Sequence, residues 1–289
     1  MEITANAVKE LREKTSAGMM ECKKALVECQ GDFEKAGVWL REHGMAQVAK
    51  RAGRAANQGL ISMLVRDGKA ALLEINCETD PVAQTDDFKA LATDLIEQIV
   101  AKSAPGFDKD ALMAQPFLKA TGKNVAAHIT EVTAKLGENL VVKRFELIER
   151  SGDGLIGAYL HGGKVGVLVE VGCSAAASSK EEAVTLAKEL AMQVAASSPK
   201  YLVSTEIPED ELARERAIYL AEAKQAGKPE PIQVKIAEGK LQAYYKQVCL
   251  MNQPYIREPK KAVKDFIKEA SPSLGEVVVK RFVRMQLGE

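Results

Sequence analysis

The sequence predicts an α+β protein: a small three-helix module, a duplicated α+β core, and an antiparallel helical hairpin set into the second copy. Three observations carry that expectation. Residues 1 to 44 show only helical periodicity. After Gly59 the chain turns strand-like and then repeats itself. Between matching parts of the second copy lie two helical stretches, 209 to 226 and 232 to 249, with no counterpart in the first.

The totals agree with this and exclude some functions. A chain of 289 residues with 46% hydrophobic content is globular and long enough for two or three domains. Forty basic residues balance forty acidic ones. That argues against a dedicated nucleic-acid binder, whose affinity comes largely from neutralising phosphates. Five scattered cysteines, Cys22, Cys29, Cys77, Cys173 and Cys249, contain no C-x-x-C and read as free thiols of a reducing compartment. The opening MEITANAVKELREK has neither a signal-peptide core nor transit-peptide composition, and no stretch approaches 18 apolar residues. A cytoplasmic protein with no membrane partner is expected.

Taken in order, Thr4 is placed to cap a first helix carrying Val8 and Leu11, which gives out near Thr15-Ser16. In the second helix Met19, Cys22, Leu26 and Cys29 define a stripe expected to be buried. Gly31 closes it, and Asp32 caps a third helix that turns Phe33, Ala36 and Leu40 inward and stops at His43-Gly44. A separate Ala-rich helical stretch, 46 to 58, reads as a linker.

The repeat follows. Gly68-Lys69 and LLEINC (72–77) resemble Gly163-Lys164 and LVEVGC (168–173). FKALATDLIEQIVA (88–101) resembles AVTLAKELAMQVAA (183–196), with Leu91/Leu186, Leu95/Leu190 and Gln98/Gln193 in step. LGENLVVKRF (136–145) resembles LGEVVVKRF (274–282), one residue shorter. The expected domains are therefore 1–54 (helical module and linker), 55–150 (first copy) and 151–289 (second copy), with the hairpin inserted at 206–248. Gly227 past one helix and Pro229 and Pro231 at the start of the next are the asymmetry of a tight helix–helix connection.

The sequence carries few motifs of catalytic chemistry. GDGLIG (152–157) matches G-x-G-x-x-G, but a dinucleotide site needs a helix to open there. LIGAYL, HGGK and VGVLVEV follow, which is strand, turn, strand, so hairpin turns are the better reading. His43, His128 and His161 have no His or Cys at metal-ligand spacing, and neither G-x-S-x-G nor H-E-x-x-H occurs. His161 stands apart because a turn displays it. Met20 lies about 100° off the Met19 stripe, so core margin and partner contact both remain open. Thr79-Asp80-Pro81-Val82 also reads two ways: Asp80 as a helix cap with Pro81 at the first helical position, or a displayed tip.

Together these residues resemble bacterial elongation factor Ts, over nearly the whole chain. VKELREKTSAGMMECKKAL is similar to that family's opening motif, usually T-G-A-G-M-M-D, and NCETDPVA to its N-x-Q/E-T-D-F-V-A loop. GENLVVKRF, AYLHGGKVGVLVEV, AMQVAASSPKYL and NQPYIREP follow in family order. The resemblance implies a ubiquitin-associated-like (UBA-like) N-terminal domain and a coiled-coil hairpin. It also implies a non-enzymatic exchange factor, with no cofactor, no resident metal and no nucleotide of its own, whose partner is GDP-bound elongation factor Tu.

On that resemblance Lys9, Arg12, Met19, Met20, Lys23 and Arg51 would contact the partner's GTPase domain. His161 would touch it near the phosphate-binding loop. Thr79, Asp80, Pro81 and Val82 would form the wedge that disturbs bound Mg²⁺. The family's wedge phenylalanine is Pro81 here, and proline cannot reach as far or fill an aromatic-sized pocket. Ser16 and Glu21 are minor departures, and no further helix is expected after Gly288-Glu289. The alternative readings are an exchange-impaired adaptor of elongation factor Tu or the ribosome, a nucleotide-using enzyme at GDGLIG, and RNA binding through the Lys50 to Arg54 patch.

Overall fold

The computed structural model describes residues 3–15, 17–102, 104 and 106–289, with the backbone alone at 45–47 and 49. It opens with three helices. α1 (Ala5–Thr15) is entered through Thr4, whose hydroxyl accepts from the Ala7 N–H at 3.2 Å. Ser16 lies outside the described residues. α2 (Met19–Glu28) ends as Gln30 takes a left-handed φ of 54° and the Gly31 N–H reaches the Leu26 carbonyl at 2.8 Å. Asp32 caps α3 (Phe33–Arg51), its Oδ1 accepting from the N–H groups of Lys35 and Glu34, both at 3.0 Å. Those bonds, Lys35's first, hold the Asp32 carboxyl below its usual range. Val8, Leu11, Cys22, Ala25, Leu26 and Ala36 close the core beneath.

Two expectations fail in this module. Met19 is 51% exposed, because it is the first residue of α2 and the buried stripe begins only at Cys22. His43-Gly44 does not end the third helix, and residues 46–51 are its continuation rather than a separate linker helix. A glycine inside a helix costs only about 1 kcal/mol. Here α3 continues packed on a later helix, where a Cβ on Gly44 would lie 3.4 Å from that of Ala134.

The first copy comprises β1 (Gln58–Arg66), β2 (Lys69–Cys77), α4 (Asp80–Ala83), α5 (Asp86–Lys102), α6 (Lys109–Ala114), α7 (Val125–Leu136) and β3 (Val141–Glu149). The second comprises β4 (Leu155–His161), β5 (Val165–Gly172), α8 (Ala175–Ser178), α9 (Glu181–Ser197), α10 (Glu209–Gln225), α11 (Glu230–Val248), β6 (Pro254–Tyr255), β7 (Glu258–Ala262), α12 (Val263–Leu274) and β8 (Val278–Gln286). The sheets have the orders β1-β2-β3 and β4-β5-β8, with a separate β6-β7 ribbon. The middle strands, β2 and β5, are buried at every position but the first. The chain divides into two compact units: Met1–Leu64 with Ala71–Leu147 and Gln286–Glu289, and Val65–Ala70 with Ile148–Met285.

The copies correspond in detail. Glu74 in β2 is wholly buried and accepts from Arg144 Nε of β3 at 2.8 Å. Glu170 in β5 is 1% exposed and accepts from Arg281 Nε of β8 at 2.7 Å. Burial alone would raise the Glu170 pKa, but bonds from Ser151 and Arg281 outweigh it and hold the carboxyl below its usual value. Pro116 pairs with Asn124 as Pro254 pairs with Ala262. The Val125 and Val263 N–H groups return to the Gln115 and Gln253 carbonyls, at 3.0 and 2.9 Å.

The glycines of GDGLIG serve this architecture. Gly154 has φ +134°, and a Cβ there would collide with the Val171 carbonyl and lie 2.9 Å from the Gly172 Cα, so it admits β4 close against β5. Gly59 does the same in the first copy, against Ile75 and Asn76. A strand, not a helix, follows.

Where the first copy has the short α6, the second has α10 and α11. They run back along each other, as the Glu211–Tyr244 and Arg216–Glu238 pairs show, over a seam of Ala223, Ala237 and Leu241. At the root, Glu211 accepts from the Tyr201 hydroxyl at 2.8 Å and from the Tyr244 hydroxyl.

Candidate functional site

The distinctive surface feature of the first unit is the turn after β2. The strand ends at Cys77, whose thiol donates to the Thr79 carbonyl at 3.1 Å. Desolvation, then the nearby Glu138 charge, pushes that thiol up to about 11, so it is a protonated donor rather than a nucleophile. Thr79, Asp80 and Pro81 are exposed, while Val82 packs on the core and Ala83 is buried. The turn thus presents three residues outward and is anchored by the next two.

The sequence places the cap one residue too late. Thr79 is the N-cap and makes no side-chain cap bond, while Asp80 and Pro81 open the four-residue α4. Proline suits that first turn because it has no N–H to satisfy and its φ is already helical. The Thr79 side chain is instead given to Glu138, whose Oε1 accepts the hydroxyl at 2.6 Å. Oε2 of the same carboxylate accepts the Glu78 and Thr79 N–H groups at 3.1 and 3.0 Å. On the far side, Thr85 Oγ1 donates to the Val82 carbonyl at 2.7 Å and accepts from the Phe88 N–H at 3.3 Å, tying the turn to α5.

Glu138 and its neighbours are the residues that sequence reasoning missed. The signal was present: LGENLVVKRF is one residue longer than its repeat, and Glu276 has no asparagine after it where Glu138 is followed by Asn139. The second copy also has alanines at 175–177, near where the first has Thr79, Asp80 and Pro81.

Of the remaining candidates, Lys9 and Arg12 of α1 and Met20 and Lys23 of α2 are exposed, Met20 by 74%. Met20 is thus a flexible thioether exposed on the same helix as Lys23. Met19 joins it on the surface, and Arg51 is half-buried at the end of α3. His161 belongs to the second unit, at the exposed end of β4. Its Nδ1 lies 3.1 Å from the Tyr159 hydroxyl, and a two-glycine turn leads on to β5. Ten of the eleven candidates are thus in the first unit.

Among the described residues no group of three or more His, Cys, Asp or Glu is arranged to hold a metal ion, and no helix is long and apolar enough to cross a membrane. What the described residues do build is a braced, outward-facing turn and a helical face with exposed methionines. A family model described as elongation factor TS matches residues 78–289. Elongation factor Ts of Nitratidesulfovibrio vulgaris (strain DP4) is 45% identical over 294 residues, covering 100% of this chain and 97% of that protein. Those of Clostridium novyi (strain NT) and Trichlorobacter lovleyi are 41% and 40% identical, covering 99% and 100% of this chain and 93% and 94% of theirs. The chain belongs to the elongation factor Ts family, and so to the translation elongation factors.

Proposed function

We propose that this chain is a cytoplasmic guanine nucleotide exchange factor, which binds GDP-bound elongation factor Tu, displaces its Mg²⁺ and promotes replacement of GDP by GTP. It makes and breaks no covalent bond. The UBA-like residues 1–54 supply the grip through Lys9, Arg12, Met19, Met20, Lys23 and Arg51. The core copies, 55–150 and 151–289, present the Thr79-Asp80-Pro81-Val82 wedge and the displayed His161. Residues 206–248 form a coiled-coil arm.

The observation that supports this reading is the turn itself: exposed at Thr79, Asp80 and Pro81, yet held by Glu138 behind and Thr85 ahead. Mg²⁺ demands near-ideal octahedral geometry, so a rigid element that shifts its supports by a fraction of an ångström weakens both metal and nucleotide. Such a factor needs only to bind one state of its partner better than the other. Stopped-flow release of a fluorescent GDP from elongation factor Tu tests it, and the full chain should accelerate release in the presence of Mg²⁺. A complex that forms without acceleration would leave the adaptor reading in its place.

A further inference from the structure

The carboxylate of Glu138 is one end of a longer network in the first unit. Its two oxygens take the Thr79 hydroxyl and the Glu78 and Thr79 N–H groups. The next residue faces the other way along the same chain. The Asn139 N–H donates to Glu78 Oε1 at 2.8 Å, and its side-chain amide donates to the Arg54 carbonyl at 2.8 Å and the Ala52 carbonyl at 3.5 Å. The Arg54 guanidinium closes the loop on Glu78, 3.4 and 3.5 Å from its two oxygens. Residues 52–54 are the segment in which the chain leaves α3, the last helix of the N-terminal module. Two adjacent residues therefore hold the base of the turn with one side chain and the exit of the helical module with the other.

We propose that Glu138 and Asn139 are positioning residues: they set the Thr79-Asp80-Pro81-Val82 turn at a fixed place relative to the three-helix module, so that grip and wedge meet the partner in one geometry. This rests on the exchange reading above for its consequence, though not for its geometry. Neither residue touches the partner in this role. A carboxylate that takes three donors makes charge-assisted bonds, which are about twice as strong as neutral ones, and one of those donors is the N-cap N–H of Thr79 that α4 leaves open. The second copy lacks the asparagine, and its corresponding turn is alanine-rich. That turn is exposed as well, at Ser174, Ala175 and Ala176, so the device goes with the polar Thr79-Asp80 turn rather than with exposure alone.

The test combines Glu138→Gln, which keeps the shape but leaves one oxygen to accept, with Thr79→Val, which removes the hydroxyl it holds. In the free protein, amide hydrogen exchange at Glu78 and Thr79 should quicken by about tenfold or more in Glu138→Gln, as expected when a charged hydrogen-bond acceptor is lost. Exchange in α5 should be unchanged. With elongation factor Tu, the maximal rate of fluorescent GDP release should fall by about tenfold while the dissociation constant moves by less than about threefold. The double variant should be no slower than the worse single one, because both changes break one clamp. Asn139→Ala should reproduce the split between rate and affinity. Unchanged exchange at Glu78 and Thr79 would overturn the clamp. Quickened exchange with an unchanged release rate would overturn the positioning role. A wild-type chain that accelerates nothing would defeat the exchange reading instead, and the hydrogen-exchange result would still decide the clamp.

Discussion

Gln98 and Gln193, one in each copy, are wholly buried and share three hydrogen bonds, to which Gln193 adds one to the Ser197 hydroxyl at 3.1 Å. Gln98 Oε1 accepts from the Leu118 N–H at 2.9 Å, and its amide donates to the Pro116 carbonyl at 3.2 Å. Gln193 Oε1 accepts from the Ile256 N–H at 2.8 Å, and its amide donates to the Pro254 carbonyl at 3.1 Å. Each also donates to the glutamine just before that proline, Gln115 or Gln253. In both copies a helix residue thereby satisfies backbone groups of a Gln-Pro segment beside its short β pairing.

Leucine at either site keeps the volume but removes the partner of the Leu118 or Ile256 N–H and of the proline carbonyl, at about 0.5–1.5 kcal/mol for each bond. Gln98→Leu and Gln193→Leu should each destabilise by about 1–3 kcal/mol. Urea unfolding checks this through a lowered midpoint at constant slope. A loss below about 0.5 kcal/mol, the level of an ordinary surface change, would contradict it.

The same correspondence frames a pH prediction. His128 stacks on Phe117 with centroids 4.1 Å apart, where the second copy stacks Phe266 on Tyr255 at the same 4.1 Å. Burial, then the Lys123 charge, lowers the His128 pKa below 6.5, against the opposing pull of Asp94 at 3.2 Å and of Glu131. Lys119 shares Asp94, bonding it at 2.6 Å. The folded ring thus resists charging. Above pH 6.5 the residue is neutral in both states and stability is flat. As pH falls through 6.5 the unfolded chain takes up the proton first, and stability drops until the lower folded pKa is passed. His128→Phe, borrowing the second copy's solution, should remove that step and leave stability near neutrality little changed. Urea midpoints from about pH 8 to about pH 5.5 decide it, and a variant as pH-sensitive as wild type in that range would sink the assignment.

How much of this was legible in the sequence depended on whether a residue's role was periodic. The Cys22-Leu26 stripe, the strand–helix repeat and the capping of α3 by Asp32 follow from side-chain spacing and local bonds, and they stand. The Gly44 stop did not, because packing of α3 on α7 overrides a single glycine's propensity. Met19 was placed in the stripe by its spacing, but a helix's first residue has no preceding turn to cover it. Glu138 was out of reach for another reason. Its partners are 59 and 60 residues away, and no local rule connects a G-E-N segment to a turn that far upstream. Only the extra residue relative to the repeat marked the place.

Removing the hairpin tests whether the second copy is complete without it. Tyr201 and Cys249 already pair side by side, and the Lys200 and Tyr201 N–H groups share the Val248 carbonyl at 2.8 and 3.0 Å. The two ends of residues 206–248 therefore lie close together, and a short flexible link spans them at modest entropic cost. A Gly/Ser link in place of 206–248 should leave one cooperative unfolding transition, at reduced stability because Tyr201 and Cys249 lose the apolar cluster they share with Ile207 and Val248. Loss of cooperativity would mean the hairpin is part of the core.

The wedge makes the sharpest prediction. Asp80 and Pro81 stand exposed at the head of α4, while Met20 and Lys23 lie on α2, so tip and grip can be altered separately. If the tip acts by displacing the supports of the partner's metal, Asp80→Ala should slow GDP release by about tenfold or more while changing the dissociation constant far less. It removes an interaction made with the altered state of the partner. Pro81→Phe should do the reverse, since burying an aromatic ring adds roughly 1–3 kcal/mol to that altered state. Its cost to the fold should be small, because losing the proline at the second position of α4 restores only a first-turn backbone N–H, which has no partner within the helix in any case. Because the tip works against bound Mg²⁺, chelating the metal should shrink the gap between wild type and Asp80→Ala. Stopped-flow release of fluorescent GDP, with and without chelator, reads all three. Asp80→Ala releasing GDP as fast as wild type with Mg²⁺ present would reduce Asp80 to the first residue of a short helix and end its assignment to metal displacement.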